Sequence, residues 1–433
     1  MDRFFKLTEN GTSVKQELLA GFTTFLAMAY ILFVNPDILG AAGMDVGAVF
    51  VATALAAMTG SIIMGLVANY PIALAPGMGL NAFFAFSAVI GMGLSWQAAL
   101  LAVFFSGVIF LGITVFKIRE KIIDAIPEEL KYAAGAGIGL FIAFIGFKNA
   151  EIIVSDPATF VALGDLSAPG PLLAVFGIVV TIIFVVLGFK GAVFYGLAIT
   201  AIVGVITGFT TLTGVVSAPP SIAPTFLQAF QVDWQNEVFT VQMVGVVLTL
   251  LFVVFFDTAG TLFAVATQAG FVKNNRLPRA GRALFADASA TTIGSLLGTS
   301  TTTAYVESTS GVAVGGRTGL TAIFTGLLFV VALFFSPLLS IITGHVTAPA
   351  LIIVGVMMAT SLRFIDWNKM EIAIPVFFTV VTMPLTYSIA TGIALGFVLY
   401  PITMLVKGRG KELHPLMYLL FVVFIVYLGF LHH

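Results

Sequence analysis

Residues 298–311 read Gly298-Thr-Ser-Thr-Thr-Thr-Ala-Tyr-Val-Glu-Ser-Thr-Ser-Gly311 and form a polar run between two apolar stretches, each long enough to be a membrane helix. Threonine, serine and tyrosine at this density favour extended backbone, because β-branched and hydroxylated residues have low helix propensity. Non-helical backbone at membrane depth occurs only where protein or a watery cavity satisfies its N–H and C=O groups. The run therefore predicts the lining of a site, and Glu307 is its only carboxylate.

The composition indicates a polytopic membrane protein. Hydrophobic residues make up 59% of the chain and charged residues 9%, and the mean hydropathy of +1.11 is too high for a soluble globule. The lack of cysteine excludes disulfides and thiolate chemistry, and the four histidines, two of them terminal, do not suggest a metal site. We therefore expect neither a metal nor a cofactor.

Apolar stretches predict fourteen membrane crossings, since each crossing needs about 20 residues. Two of the stretches, 79–91 and 305–315, are short and follow a Pro/Gly-rich or polar run, as expected of half-helices. The others lie near 16–36, 47–68, 95–116, 131–147, 170–188, 190–215, 238–270, 281–298, 318–342, 347–362, 372–386 and 388–406. A last apolar run, 415–431, is either a further span or an interfacial helix.

The basic residues give the orientation. With a cytoplasmic N-terminus, this even count of crossings places nearly all of them on the inner side, as the positive-inside rule requires. They are Arg3, Lys6, Lys15, Lys117, Arg119, Lys121, Lys131, Lys190, Lys273, Arg276, Arg279, Arg282, Arg317, Arg363, Lys369, Lys407, Arg409 and Lys411. Lys148 alone falls outside, among acidic residues. We predict a multi-pass protein of the cell membrane.

The two halves of the chain contain related motifs in the same order. Thr59-Gly-Ser-Ile-Ile-Met-Gly65 resembles Ile293-Gly-Ser-Leu-Leu-Gly298, and Ser106-Gly-Val-Ile-Phe-Leu111 resembles Thr325-Gly-Leu-Leu-Phe-Val330. One broken segment lies between the motifs of each pair. Seven crossings per half place the repeats in opposite orientations, and inverted repeats with paired broken helices are typical of transporters.

Three carboxylates lie at membrane depth, where each costs about 2.5–3.5 kcal/mol at a helix centre on insertion scales. Asp257 is the one charge between Val238 and Gln268, and Glu307 opens a half-helix, so we assign both to function. Asp287 lies near Arg282 and the inner surface, and we interpret it as a structural partner outside the binding site.

The break in the first half, Pro71-Ile-Ala-Leu-Ala-Pro-Gly-Met-Gly-Leu-Asn-Ala-Phe-Phe84, complements the polar run. Pro76 forbids a continuous helix, and Gly77 and Gly79 allow close backbone approach. We expect Asn81 to begin a half-helix whose free N–H groups point into the cavity. Its amide offers donors and an acceptor to a polar ring. Phe83 and Phe84 could stack on such a ring, or they could pack against lipid or in the protein core.

Three motifs together resemble those of purine permeases in the nucleobase:cation symporter family, in its adenine–guanine–hypoxanthine (azaguanine-type) branch. They are Ala75-Pro-Gly-Met-Gly-Leu-Asn-Ala-Phe-Phe84, Phe256-Asp-Thr-Ala-Gly-Thr261 and the run 299–311, and the similarity extends along nearly the whole chain. The related uracil and xanthine branches carry Glu in the eighth helix, so Asp257 favours the present branch.

The resemblance implies a fourteen-helix fold of two domains. The core domain, with the substrate site, covers 1–127 and 238–343 (segments 1–4 and 8–11). The gate domain covers 128–237 and 344–433 (segments 5–7 and 12–14 plus the extra run 415–431). Two short antiparallel strands are implied in the broken segments 3 and 10, beside the substrate. Asn81, Asp257 and Glu307 match the family positions for substrate and proton handling, and we add Gly79, Phe83, Thr303 and Ala304 as expected substrate contacts.

The chemistry of these acids suits purine bases. Guanine presents N1–H and N2–H₂ as adjacent donors, and an ionised carboxylate accepts two such bonds side by side. We assign Glu307 to the base, and Asp257 to the driving proton or to the other edge of the base. The expected function is import of guanine or hypoxanthine by proton symport, with the core moving against the gate. Gly135, Gly137 and Gly139 are expected to let the two domains approach closely.

The expected partners are a purine base, the proton and membrane lipid, with a homodimer left open and no nucleic acid. Adenine preference within the same branch is the first alternative. An anion transporter of the same fold is the second, but it should carry a cation at the half-helix N-termini. An intramembrane aspartyl protease is the most remote, because Asp257-Thr-Ala-Gly260 interrupts the protease motif with Ala and has no second copy.

Overall fold

The structure is a computed structural model that describes residues 2–116, 126–271 and 277–431. Helices dominate it, and two pairs of short strands interrupt them. Lys117, Arg119, Lys121, Lys273 and Arg276, which contribute to the predicted orientation, lie outside the described residues.

The first half of the chain contains nine helices and three strands in the described residues. They are α1 (Asp2–Phe5), α2 (Val14–Met28), α3 (Ile31–Ala41), α4 (Val46–Ile63), β1 (Leu74–Pro76), α5 (Met78–Ala82), α6 (Trp96–Val115), α7 (Glu128–Asn149), β2 (Ile153–Asp156), β3 (Phe160–Leu163), α8 (Pro169–Val186) and α9 (Ala192–Ile206). The helix α4 continues as a π-helical turn over Met64–Ala68, and α5 continues likewise over Phe83–Gly91.

The second half contains eight helices and one strand in the part that the structure describes. They are α10 (Val241–Gln268), α11 (Ala280–Leu297), β4 (Thr302–Ala304), α12 (Ser308–Ala313), α13 (Gly319–Ala332), α14 (Gly344–Ala359), α15 (Met370–Thr386), α16 (Ile389–Val406) and α17 (Pro415–Val426). A 3₁₀-helical segment, Leu333–Ile341, extends α13.

The helical, membrane-like character of the fold is confirmed. Across the described ranges, eight helical stretches are long and apolar enough to cross a membrane, and five shorter apolar helices accompany them. Every predicted crossing coincides with a helix or with a strand followed by a helix. The chain is therefore an integral membrane protein, while the count of fourteen crossings stays a prediction.

The two strands implied for the broken segments are present and antiparallel. Strand β1 pairs with β4, and Leu74, Ala75 and Pro76 lie opposite Ala304, Thr303 and Thr302. Both strands are fully buried, so their backbone groups depend on each other and on nearby hydroxyls. A second strand pair, the hairpin of β2 and β3, follows α7 and was not predicted. Its short strands lie in the connection between α7 and α8, where apolar and polar residues do not alternate clearly, so there is no strand signal at this place in the sequence.

Glycine brings the helices around the strand pair into close contact. A Cβ on Gly107 of α6 would lie 2.9 Å from the backbone nitrogen of Thr292 in α11, and one on Gly326 of α13 would lie 3.0 Å from the carbonyl oxygen of Met58 in α4. The two contacts involve the related motifs of the two halves. Gly137 and Gly139, by contrast, pack α7 against Met383 of α15 and Met358 of α14. The expectation that they lie between core and gate is wrong, because their neighbours belong to the predicted gate itself.

The C-terminal helix α17 contacts both predicted domains. Phe424 lies 5.1 Å from Phe252 of α10 and 5.2 Å from Phe397 of α16, measured between ring centroids. The opposite face of α17 exposes apolar side chains such as Leu419 and Val422. The run 415–431 is therefore a packed helix, and whether it spans the membrane stays open.

We predict that Gly65→Ala destabilises the protein by about 1–3 kcal/mol, the usual cost of overpacking. A Cβ there would lie 2.4 Å from the carbonyl oxygen of Gly319, and that backbone atom at the start of α13 cannot move aside. Thermal unfolding in detergent measures the effect. Gly112→Ala in α6 is the matched control, because no heavy atom lies within 4 Å of its Cβ position. Equal melting temperatures for the two variants would contradict the packing argument.

Candidate functional site

The strand pair is held in place by hydroxyl groups of the helices beside it. Ser61 of α4 accepts a hydrogen bond from the Leu74 N–H at 2.9 Å and donates to the Leu74 carbonyl at 3.2 Å. Thr291 of α11 donates to the Thr302 carbonyl at 2.9 Å, and the Tyr305 hydroxyl donates to the Pro76 carbonyl at 2.5 Å. Each strand is thus fixed by a helix of its own half and by the other strand.

Glu307 lies between β4 and α12, as the sequence predicts for an acid that opens a half-helix. Its Oε1 atom accepts a hydrogen bond from the hydroxyl of Tyr30 at 2.5 Å. Tyr30 is 1% exposed and lies at the break between α2 and α3. The sequence analysis missed Tyr30. The available signal was a tyrosine in the apolar first crossing, because a buried phenol usually has a hydrogen-bond partner.

Asp257 lies in the middle of α10, beside the turn that follows β1. Its Oδ2 atom is 3.8 Å from the position that a Cβ on Gly77 would take, and the Cγ2 atom of Thr303 is 2.7 Å from that position. Asp257 is also within electrostatic range of Glu307 and Asp287. The structure therefore places Asp257 and Thr303 beside Gly77, where any larger residue would collide with Thr303, and Glu307 within electrostatic range of Asp257.

Asn81 is buried inside α5, and the prediction that it begins the half-helix is wrong. The helix begins at Met78, and the Asn81 N–H donates to the Gly77 carbonyl at 2.8 Å, so it is not a free helix-end donor. The side-chain Oδ1 atom accepts a hydrogen bond from the Ser300 hydroxyl. In the described part of the chain the Nδ2 group has no partner, so the side-chain amide remains a donor for a ligand.

The other expected contacts have packing roles in the structure. A Cβ on Gly79 would lie 2.4 Å from the Cγ2 atom of Ile138 in α7, so this glycine allows two helices to approach. Phe83 and Phe84 are at most 1% exposed and belong to the main hydrophobic cluster. Ala304 pairs with Leu74 in the strand register. Their contact with a substrate stays a prediction.

Asp287 is fully buried, whereas Arg282, five residues earlier in α11, is exposed. The contacts of Asp287 agree with its interpretation as a structural partner, and its exclusion from the binding site stays a prediction. Its Oδ2 atom accepts a hydrogen bond from the hydroxyl of Thr258 at 2.9 Å. The same hydroxyl lies 3.0 Å from the hydroxyl of Thr303 in β4. Helical spacing could not have revealed this, because the contact joins α10, α11 and β4.

Comparison with known proteins decides the family. A family model described as the permease family matches residues 15–395, which is most of the chain. The chain belongs to this permease family. Permeases are transporters and not enzymes, so membership excludes the protease alternative.

Three curated relatives match this permease over 96–100% of their own length. It is 58% identical to the guanine/hypoxanthine permease PbuG of Bacillus subtilis, covering 100% of both chains. It is 44% identical to PbuO, a guanine/hypoxanthine permease of the same organism, covering 98% of this chain and 99% of that one. It is also 44% identical to the adenine permease AdeP of Escherichia coli, covering 100% of this chain and 96% of that one.

Among solved structures, the permease shares its fold with a bicarbonate transporter. The transmembrane domain of the cyanobacterial transporter BicA superposes with a TM-score of 0.65 at 16% identity, covering 88% of this chain and 96% of that one. SLC26A9 gives the same TM-score at 10% identity, covering 91% of this chain and 66% of that one. At these identities the likeness concerns the fold alone.

We predict that Thr258→Val destabilises the permease by about 1.5–3 kcal/mol, the usual value of a hydrogen bond to a charged group. The substitution keeps the shape but removes the hydroxyl that contacts both Asp287 and Thr303. The midpoint of thermal unfolding in detergent reports the loss. Thr23→Val is the control, since the Thr23 hydroxyl donates to the Leu19 carbonyl of its own helix. A midpoint for Thr258→Val as high as that of the control would show that the buried contact does not stabilise the fold.

Proposed function

We propose that this permease imports guanine and hypoxanthine through the cell membrane by proton symport, with its N-terminus in the cytoplasm. Two relatives named guanine/hypoxanthine permeases support the substrate, and one of them is 58% identical over the full length. Relatives named adenine permeases match at 44–45% identity, so adenine is the closest competing substrate.

The observation that carries the proposal is the placement of Glu307. Its carboxylate lies beside the buried strand pair and is held by Tyr30 through one oxygen. A carboxylate has about four lone-pair positions, and the backbone N–H of Glu307 itself is a second donor to it, so about two positions remain for a ligand. Guanine offers two adjacent donors, N1–H and N2–H₂, that such a group accepts side by side. Adenine offers a donor beside an acceptor, which an ionised carboxylate cannot satisfy.

Asp257 is the residue that we assign to the coupling proton or to the other edge of the base. Together with Glu307 it forms a pair of acids within electrostatic range inside the membrane, where two ionised carboxylates are costly. Taking up a proton on one acid relieves this cost and favours the bound state. By linkage, protonation and base binding must strengthen each other by the same free energy.

We also propose that the fourteen segments form a seven-plus-seven inverted repeat. The pairing of β1 with β4 supports this, because each strand comes from one half. The glycine contacts support it too, since α6 packs on α11 through Gly107 and α13 packs on α4 through Gly326. Related motifs thus make reciprocal contacts, as expected of two repeats around a shared axis.

The repeats are proposed to form a core domain (1–127 and 238–343) that moves against a gate domain (128–237 and 344–433). A polar contact joins the proposed core to the proposed gate, as expected of a boundary between domains that separate and rejoin. The Thr347 hydroxyl of α14 donates to Oδ2 of Asp37 in α3 at 2.7 Å. Gly79 of α5 against Ile138 of α7 is a second contact across the same boundary. Alternating access would require both contacts to open and close.

We expect guanine or hypoxanthine added to proteoliposomes to make the external medium alkaline without any applied gradient, since protons enter with the base. Guanine and hypoxanthine should compete with labelled guanine better than adenine does. The measurements are external pH and isotope uptake. Transport that a protonophore leaves undiminished, or that requires sodium, would contradict proton coupling, and stronger competition by adenine would reverse the substrate order.

The site variant for this experiment is Glu307→Gln, which is expected to reach the membrane but to lose base binding. The amide turns a donor toward the donors of guanine and loses a charge-assisted hydrogen bond worth about 1.5–3 kcal/mol. Binding to the purified variant is measured by calorimetry. An affinity within about twofold of the parent, where tenfold equals about 1.4 kcal/mol, would place the site elsewhere.

We predict that a disulfide between Asp37→Cys and Thr347→Cys stops transport, because it joins core and gate at a contact that must open. The chain has no cysteine of its own, so the two introduced thiols are the only pair that can form a disulfide within one molecule. Uptake before and after oxidation measures the block, and reduction should restore it. The control pair is Gly344→Cys with Asn149→Cys, both in the gate, whose Cβ positions are 3.6 Å apart and suit a disulfide. If neither oxidised pair slows uptake, the two-domain motion is wrong.

A further inference from the structure

Tyr30 lies where the first crossing is interrupted. Helix α2 ends at Met28 and α3 begins at Ile31. Across the break, the N–H groups of Leu32 and Phe33 donate three residues back, to the carbonyls of Ala29 and Tyr30, at 3.1 and 3.0 Å. The tighter turn changes the direction of the side chain at the junction. Tyr30 is thereby buried at 1% exposure, with its hydroxyl on Glu307.

The backbone around Glu307 is also fixed. The hydroxyl of Ser308 accepts a hydrogen bond from the Ala73 N–H at 3.0 Å, and the Ser308 N–H donates to the Tyr305 carbonyl at 3.2 Å. These bonds hold the chain on both sides of the carboxylate but leave its side-chain torsions free. The Glu307 carboxylate accepts hydrogen bonds from its own backbone N–H and from the Tyr30 hydroxyl, and the bond from Tyr30 ties it to the first crossing.

We propose that Tyr30 is a positioning residue that sets the preference of the permease for guanine over hypoxanthine; this inference rests on the proposed function. Tyr30 occupies one lone pair of Oε1 and the Glu307 backbone N–H occupies another lone pair of the carboxylate, so about two remain for a base. Guanine needs both oxygens at once and in one plane, because its N1–H and N2–H₂ donors are parallel. Hypoxanthine presents the N1–H alone on that edge, and a rotated carboxylate still accepts it.

The test is Tyr30→Phe, which removes the hydroxyl and keeps the buried ring. We expect the Kd for guanine to rise about tenfold and that for hypoxanthine by no more than about threefold, so the preference for guanine falls. Uptake at saturating base should stay within about twofold of the parent, because binding and not the motion of the domains is affected. The readouts are calorimetry on the purified protein and the separation of KM from the maximal rate in proteoliposomes.

Tyr70→Phe is the matched control. Tyr70 is as buried as Tyr30, but its ring packs against Phe271, at a centroid distance of 5.4 Å, and against the guanidinium of Arg279, at 4.5 Å. Loss of this hydroxyl should leave both affinities unchanged. Two further variants keep the ring size at position 30. Tyr30→4-aminophenylalanine retains a donor and should retain the preference for guanine, whereas Tyr30→4-methylphenylalanine lacks a donor and should lose it. If Tyr30→Phe does not accumulate in the membrane, the guanine preference of these two variants tests the role of the hydroxyl instead.

The outcomes separate the two proposals. A parent protein that binds neither guanine nor hypoxanthine overturns the proposed function together with this inference. A parent that binds both bases, with a Tyr30→Phe variant that keeps its guanine preference, overturns this inference alone. An equal loss of affinity for both bases also overturns it, because that result assigns Tyr30 a structural role. A selective loss for guanine, restored by 4-aminophenylalanine, supports it.

Discussion

The pairing of β1 with β4 is the interaction on which the rest of the structure depends. Two short strands in a membrane interior have no water to satisfy their backbone groups, so neither can exist without the other or a substitute. Hydroxyls of Ser61 and Thr291 and the phenol of Tyr305 complete the set of hydrogen bonds. The broken segments are therefore not defects in two helices. They form one structural unit built from both halves of the chain.

The position of the acids follows from this unit. Glu307 lies directly after β4, and the turn that follows β1 contains Gly77, whose missing side chain leaves room for Asp257 and Thr303. Because the strands are fixed by bonds to α4 and α11, the backbone that leads into Glu307 is held in place, whereas Asp257 is carried by the long helix α10. Asn81 is joined to the same region by the bond from Ser300, and in the described residues its buried Nδ2 group has no partner.

The sequence predicted those features that depend on local composition. Hydropathy predicts the helices, and the polar run 298–311 predicts a break with Glu307 at the start of a half-helix, because both signals lie in consecutive residues. The two paired strands were predicted only through the family resemblance. Tyr30 and the partner of Asp287 were missed, because Tyr30 is 277 residues from Glu307 along the chain and Asp287 is 29 residues from Thr258. Asn81 was misplaced by three residues because the helix starts at Met78, and proline and glycine alone do not fix that boundary.

The distance between the paired strands in the chain has a consequence for biosynthesis. Leu74 enters the membrane long before Ala304, its partner, has been made. At about 5–20 residues per second, the second strand follows the first by roughly ten seconds or more. During that interval the first break has open backbone groups that lipid cannot satisfy. The nascent first half must therefore be sheltered, by the insertion machinery or at the headgroup level, until the second half arrives, and the halves mature as one cooperative event.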